Sequence, residues 1–335
     1  MVFDWEILFV KICIFGAGAI GGFISVYLSL AGHEVSLISR GPNLAAFKKN
    51  GVNLKHGEKF LKAFPFSTHN TKDVGTVDLV FVTVKGPALE GVGSDIGPLL
   101  GAETQVIFAM NGIPWWYDSR HPNANLLAAN LLDPTGILRK EISIDKIIGC
   151  VVDCPAIVTE PGVILSARPT RGKFMIGSPR SVKNTKLLAV SNCLEDAGME
   201  SPIVENLEEA IWSKLIVNLS RSPLAVLTGV NELVLAHNKE ATAITKEMII
   251  EAHEVAASHG IEIDLDWDRL LKPDYRSEHR SSMLQDWDSQ RPMEIDSILK
   301  IVCLFAKESG IKTPTMDRIL ALLAIKAAEV GLYAG

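Results

Sequence analysis

The sequence lacks what several classes of protein require. It has no basic excess: 33 lysines and arginines stand against 39 acids, for a net charge of −6. No lysine- and arginine-rich stripe is available to neutralise a phosphate backbone, which excludes nucleic acid as a partner. Cysteine is scarce and odd in number, five in 335 residues with no CxxC pair. Cys150 and Cys154, four apart in an expected strand, suit a core better than a metal site, so no metal is expected. That usage fits a reducing, cytoplasmic setting. No apolar run approaches the ~20 residues of a membrane span. The opening "MVFDWEILFV" is apolar but short, with neither a basic leader nor a small-residue cleavage site, and is not expected to be a signal peptide. An extra strand, a helix or an overlong start all remain open for it. Internal repeats and low-complexity segments are absent too.

What is present is an alternation of strand and helix signals. "KICIF" (11–15) is a short β-rich run, a glycine turn follows over 16–21, and a helix is expected from Gly22 to Ala31. "EVSLIS" is the next strand, and "GVNLKHGEKFLKAFPFST" reads as a hairpin turning near Gly57. "VDLVFVTVK" and "TQVIFAM" are continuous apolar runs, as expected of strands buried on both faces. Strands alternating with helices predict a parallel, doubly wound sheet. From Cys150 to Pro179 the runs are broken by Pro and Gly with few helix signals, which predicts antiparallel strands extending or flanking that sheet. From about Glu205 nearly everything is helical: 206–226, 231–258, 281–290, 294–309 and 315–330. The expected organisation is a Rossmann-type α/β domain over 1–204, with a parallel sheet plus some antiparallel strands, followed by an all-α domain over 205–335.

In "GAGAIG", Gly16, Gly18 and Gly21 match G-x-G-x-x-G, with Ala17, Ala19 and Ile20 between them. The first glycine allows a sharp turn, the second lets backbone approach a pyrophosphate, and the third lets helix and strand pack closely. A strand before and a helix after give the context the motif needs. A glycine-rich turn without ligand is the plainer alternative. One further absence is informative. NAD-binding chains usually end the second strand on Asp or Glu, whereas "SLISR" offers Ser39 and Arg40, which suit a 2′-phosphate. A solvated loop arginine is the alternative there. Lys85, at the end of "VTVK", is expected to point toward the cofactor cleft.

A second constellation lies downstream. Lys214, Asn218 and Ser222 are spaced i, i+4, i+8 along "AIWSKLIVNLSRSPLAVLTG" and share one helix face. Apolar neighbours suggest that this polar line faces a cleft, where a lysine can serve as general acid. A lysine snorkelling at the surface is the alternative. Glu294, after Pro292, opens the next helix, and a carboxylate in a first turn is by itself only favourable electrostatics. "DLDWD" (264–268) imitates the start of a calcium loop, but Arg269 and Tyr275 occupy the positions that need Gly and Glu. His253 and His259 suggest no third ligand, and Trp115 and Trp116 suit a core or a cleft wall.

Taken in order, "GAGAIGG", "VTVK", "NG" after the next strand, "WSKLIVN", "SSMLQD" and "EID" resemble the ketopantoate reductase family over essentially the whole chain from Lys11. The resemblance implies a Rossmann-type domain joined to a helical one, NADP(H) as cofactor, and reduction of a 2-oxo acid to a 2-hydroxy acid, in this family ketopantoate to pantoate on the route to coenzyme A. It implies that Lys214 protonates the developing alkoxide and that Glu294 helps to set that lysine and the bound ligands. It places Asn111 and Asn218 in the substrate cleft, with Asn111 and Glu294 also reached by the cofactor. It gives Ser282 the substrate carboxylate, and Arg40 and Lys85 the 2′-phosphate. Two positions depart: Ser222 and His279 stand where the family usually has asparagines that hold the far hydroxyl of the substrate. A paralogous reductase of another 2-oxo acid therefore stays in play. So does a non-catalytic NADPH sensor, though it would not need Lys214, Asn218 and Glu294 together. Apart from a small-molecule substrate, no nucleic acid or membrane partner is expected, and a homodimer is left open.

Overall fold

The computed structural model describes residues 10–120, 126–166, 171–180 and 185–334. The apolar opening segment, residues 1–9, lies outside them. The described chain divides into two compact units, one of residues 10–84, 88–110 and 135–207, the other of 85–87, 111–134 and 208–334. The helical unit thus owns, besides the C-terminal part, the two short stretches that leave the ends of the strands "VDLVFV" and "TQVIFA".

The first unit carries eleven strands: β1 (Lys11–Phe15), β2 (Glu34–Ile38), β3 (Val52–His56), β4 (Lys59–Ala63), β5 (Phe66–Thr68), β6 (Val77–Val82), β7 (Leu100–Ala109), β8 (Ile147–Asp153), β9 (Ala156–Glu160), β10 (Val163–Ser166) and β11 (Lys173–Gly177). Seven form one sheet in the order β11-β8-β7-β6-β1-β2-β5. All its pairs are parallel except β11 on β8. The continuous apolar runs sit in its middle, with Ile12, Cys13 and Ile14 of β1 and Val80, Phe81 and Val82 of β6 fully buried. Strand β1 lies between β2 and β6, so the chain order reverses there, and the crevice beyond the strand ends at such a point is where α/β sheets bind ligands.

The remaining strands form a second sheet, β4-β3-β10-β9. The hairpin turning at Gly57 is there, but it belongs to this sheet, because β3 pairs in parallel with β10, more than a hundred residues away (Asn53 opposite Val163). A helix, Thr185–Asp196, also follows the β-rich stretch where few helix signals were read.

The glycine-turn helix runs from Ala19 to Leu30, three residues earlier than expected from the sequence. It has no charged residue, and it packs against strands of both sheets, as a helix apolar all round should. Gly21 and Gly22 explain how. A Cβ on Gly21 would stand 2.1 Å from the Gly16 carbonyl oxygen, and one on Gly22 would stand 2.0 Å from the Ile164 Cδ1 of β10. Each glycine admits one sheet, and the close contact outweighs the helix cost of two adjacent glycines.

The second unit is helical. Its longest helices are Leu207–Thr228, Lys239–Ser258 and Pro314–Glu329. The expected helix over 231–258 is two: Asn238 caps Lys239–Ser258 by accepting from Ala241 N–H, and so separates it from Glu232–His237. Trp212, Tyr117 and Phe305 pack as a buried aromatic core, with Trp212 Nε1 donating to Tyr117 Oη at 2.8 Å. Trp115 and Trp116 are buried beside that segment. Among the described residues no helix is long and apolar enough to cross a membrane.

Candidate active site

The glycine turn of the first unit closes directly off β1. Gly16 has φ +109°, which only glycine adopts without strain, and its N–H donates to Ile38 O at 3.1 Å. Thr83, just past β6, donates its hydroxyl to Gly16 O at 2.5 Å and its N–H to Phe15 O at 3.0 Å. Gly18 precedes the helix and has open space where a Cβ would lie. No side chain caps that helix, and its first turn holds no acid. Unsatisfied N–H groups and the positive end of the dipole therefore face the space in front of Gly18, which suits a pyrophosphate. Arg40 lies just beyond β2 and precedes the helix Gly41–Asn50, which also lacks a side-chain cap and a first-turn acid. Its guanidinium is 68% exposed and pairs with Asp95 at 2.9 Å. Such an exposed pair is worth at most about 1 kcal/mol and exchanges readily for a stronger anion.

In the second unit, pieces of four motifs meet. Asp286 of "SSMLQD" is buried and holds the Lys85 amine, and Arg291 Nε lies 3.2 Å from its other oxygen. Gly86 N–H approaches Glu294 Oε1 at 3.4 Å. Glu294 is buried, and that burial pushes its carboxyl up from 4.5 to about 7. The field of Lys85 opposes the shift, while that of Asp286 adds to it. Asp286 is itself raised by burial, against the pull of Lys85 and Arg291. After Glu294 the chain makes a π turn, Asp296–Lys300, before continuing as the helix Ile301–Glu308. The Asn111–Gly112 turn docks on it: Ile113 N–H donates to Ser297 O at 2.8 Å. Gly112 has φ +83°, and a Cβ there would lie 2.4 Å from Ser297 O. The glycine in "NG" is thus what lets the turn after Asn111 approach Ser297, three residues beyond Glu294.

Lys214 and Asn218 are half-buried and Ser222 is buried, on one face of the helix Leu207–Thr228. Pro223, inside this helix next to Ser222, has no N–H to give the Leu219 carbonyl. Ser282 and His279 are exposed, and it is Ser281 that caps the helix Ser282–Asp288, accepting from Leu284 N–H. The structure therefore brings Lys85 to Asp286 and Gly86 to Glu294, docks the turn that follows Asn111 on Ser297, aligns Lys214, Asn218 and Ser222, and leaves Ser282 and His279 exposed. Lys85, expected beside a 2′-phosphate, is engaged by Asp286, and a phosphate would have to share that amine. Asp286 itself was missed. Its signal was an acid one helical turn after the apolar Met283, on the same face.

Residues 12–180 match the family described as ketopantoate reductase PanE/ApbA, and residues 206–327 match its C-terminal counterpart. The chain belongs to the ketopantoate reductase family. It is 33% identical to the 2-dehydropantoate 2-reductase of Mesorhizobium japonicum over 329 residues, which covers 96% of this chain and 99% of that one. It is 25% identical to the Archaeoglobus fulgidus protein of the same name, over 96% and 99% of the two chains. Among solved structures, a candidate ketopantoate reductase from Ralstonia solanacearum MolK2 superposes with a TM-score of 0.90 at 30% identity, covering 97% and 100%. D-mandelate dehydrogenase, solved with NADH and anilino(oxo)acetate, shares the fold with a TM-score of 0.82 at 24% identity, over 96% and 99%. The chain is thus an oxidoreductase of the 2-dehydropantoate 2-reductase type, acting on a CH–OH group with a pyridine nucleotide.

Proposed function

We propose that this ketopantoate reductase family member uses NADPH, and that its substrate is 2-dehydropantoate, reduced to pantoate for pantothenate and coenzyme A synthesis. The observation that most supports this reading is the meeting, in one helical unit, of Lys85, Asp286, Glu294 and the Asn111–Gly112 turn. The glycine turn suits the pyrophosphate, and Arg40 suits a phosphate that NADH lacks. The nucleotide, when bound, supplies the hydride that reaches the ketone carbon. The chain does the rest. Lys214 gives a proton to the alkoxide oxygen and stabilises its charge as it develops. Glu294, poised near neutrality, can hold or yield a proton and orient the groups around it. Asn111 and Asn218 offer amide hydrogen bonds to the substrate, and Ser282 a hydroxyl to its carboxylate. The reaction suits a reducing cytoplasm, where all five thiols stay unpaired.

One observation favours a second substrate. Ser222 and His279 stand where the resemblance implies asparagines that hold the far hydroxyl, and Ser222 is buried with a shorter arm. A site built to bond a hydroxyl rejects analogues without it, and loosening the site weakens that rejection. The test is oxidation of NADPH and of NADH with ketopantoate beside 2-oxo acids lacking a 4-hydroxyl. NADPH should be preferred by at least about tenfold, since a charge-assisted bond to phosphate is worth roughly 1.5–3 kcal/mol. Arg40→Ala should narrow that preference more than Lys85→Ala, because Asp286 already shares the Lys85 charge. Equal use of both nucleotides sinks the cofactor assignment. Lys214→Ala should lower kcat by about 10²–10⁴-fold while nucleotide binding survives; near-normal turnover would return Lys214 to a surface role.

A further inference from the structure

The helical unit holds a small cavity, bordered by two arginines and a glutamate, that the reductase reading does not use. Helices Leu207–Thr228, Glu232–His237, Lys239–Ser258 and Trp267–Leu271 surround it, and Arg221, Glu232, Thr242, Thr245, Leu270 and Arg276 are among the residues that line it. Its volume is about 20 Å³, room for one water or one ion of similar size.

Arg221 is the residue that calls for an explanation. It is only 8% exposed. Its Nη2 donates to Leu270 O at 3.0 Å. Its Nη1 lies 3.6 Å from the Glu232 carboxylate, beyond hydrogen-bond length. Its Nε is buried with no hydrogen-bond partner. Arg276 donates to the same Leu270 carbonyl and, at 2.8 Å, to Arg269 O. Two guanidinium groups thus border the cavity, with Arg269 close by, against one carboxylate. The acids of the neighbouring helix are engaged elsewhere: Asp268 pairs with Lys272 at 2.6 Å and Asp266 accepts from Arg269 N–H. Burial first, and then repulsion from Arg276, pull Arg221 down to about 10. A buried cation with an unmade donor and too little opposite charge is costly. An anion in the cavity would supply both missing elements, an acceptor for Nε and a compensating charge.

We infer that this cavity is a binding site for one small monovalent anion of about the size of chloride, held by Arg221 Nε and the guanidinium of Arg276. Sulfate and phosphate are too large for it, and the two threonines cannot donate freely because each hydroxyl already bonds a backbone carbonyl of its own helix or the turn before it. The site is independent of the substrate assignment above.

The test uses the full-length protein without nucleotide or substrate. Its thermal midpoint is measured against chloride concentration, with ionic strength held constant by gluconate, which is too bulky to enter. A saturable rise with chloride is expected, and Arg221→Met should abolish it. Should that variant fail to fold, Glu232→Gln gives a second arm. Removing the competing carboxylate a few ångströms from the anion should lower the half-saturating chloride concentration by about tenfold or more. Equal midpoints in chloride and gluconate, a rise that survives Arg221→Met, or an unchanged half-saturation in Glu232→Gln would each overturn the site.

Discussion

Glu294 shows how far placement alters one side chain. Its carboxyl is buried beside Asp286 and Lys85, and the burial outweighs the lysine, so the folded pKa is about 7 against 4.5 in the open chain. The folded value lies above the unfolded one. Across the window from about 4.5 to 7 the folded chain therefore holds a proton that the unfolded chain has lost, and stability falls as pH rises. Above that window the full penalty applies, roughly 3 kcal/mol for a shift of this size. Glu294→Gln keeps the shape without the ionisation. Relative to the unmodified protein, it should gain stability on going from pH 5 to pH 8. Urea unfolding of both proteins at the two pH values checks this, and parallel behaviour would mean that the ionised carboxylate is not isolated from water there.

At the scale of elements, the helix Ala19–Leu30 is decided by two neighbouring glycines with different obligations. A Cβ on Gly21 meets backbone and a fixed hydroxyl, Gly16 O at 2.1 Å and Thr83 Oγ1 at 2.5 Å. A Cβ on Gly22 meets the terminal methyl of Ile164 at 2.0 Å, which can rotate away. Gly21→Ala should cost about 2–4 kcal/mol and weaken nucleotide binding, because helix and strand must separate. Gly22→Ala should cost less than about 1.5 kcal/mol, since repacking is easier and alanine favours a helix. Comparable losses in chemical unfolding would contradict this account. The same helix marks what was legible in the sequence. The turn was, because Gly16, Gly18 and Gly21 stand between a strand and a helical period. The helix start was not, because glycine lowers helix propensity and only the two sheets repay it. The second sheet was hidden because β3 finds β10 far along the chain. Lys85 and Glu294 were each legible as motif residues, but their meeting was not, since Lys85 was expected beside a phosphate and Glu294 beside Lys214; the π turn was hidden too, because the docking of Gly112 on Ser297 is a tertiary event.

Over the whole molecule the chain passes repeatedly between its units: residues 85–87 and 111–134 belong to the helical unit although they continue from β6 and β7. Opening the helical unit would release these stretches, which are continuous in sequence with β6 and β7. The two units should therefore unfold together. The cysteines provide the reporter. Cys13, Cys150, Cys154 and Cys193 lie in the sheet unit and Cys303 in the helical one, all unpaired. Burial raises every one of these thiols, to about 12 for Cys13, Cys154, Cys193 and Cys303, and for Cys150 further still. Since the thiolate is the reactive form, none should react at neutral pH until the surrounding structure opens. Pulsed alkylation through a denaturant series, read by mass spectrometry, should show Cys303 and the other four becoming labelled over the same denaturant range. Labelling of Cys303 at clearly lower denaturant, with the sheet-unit thiols still protected, would show instead that the helical unit opens alone and that the shared segments do not couple the two.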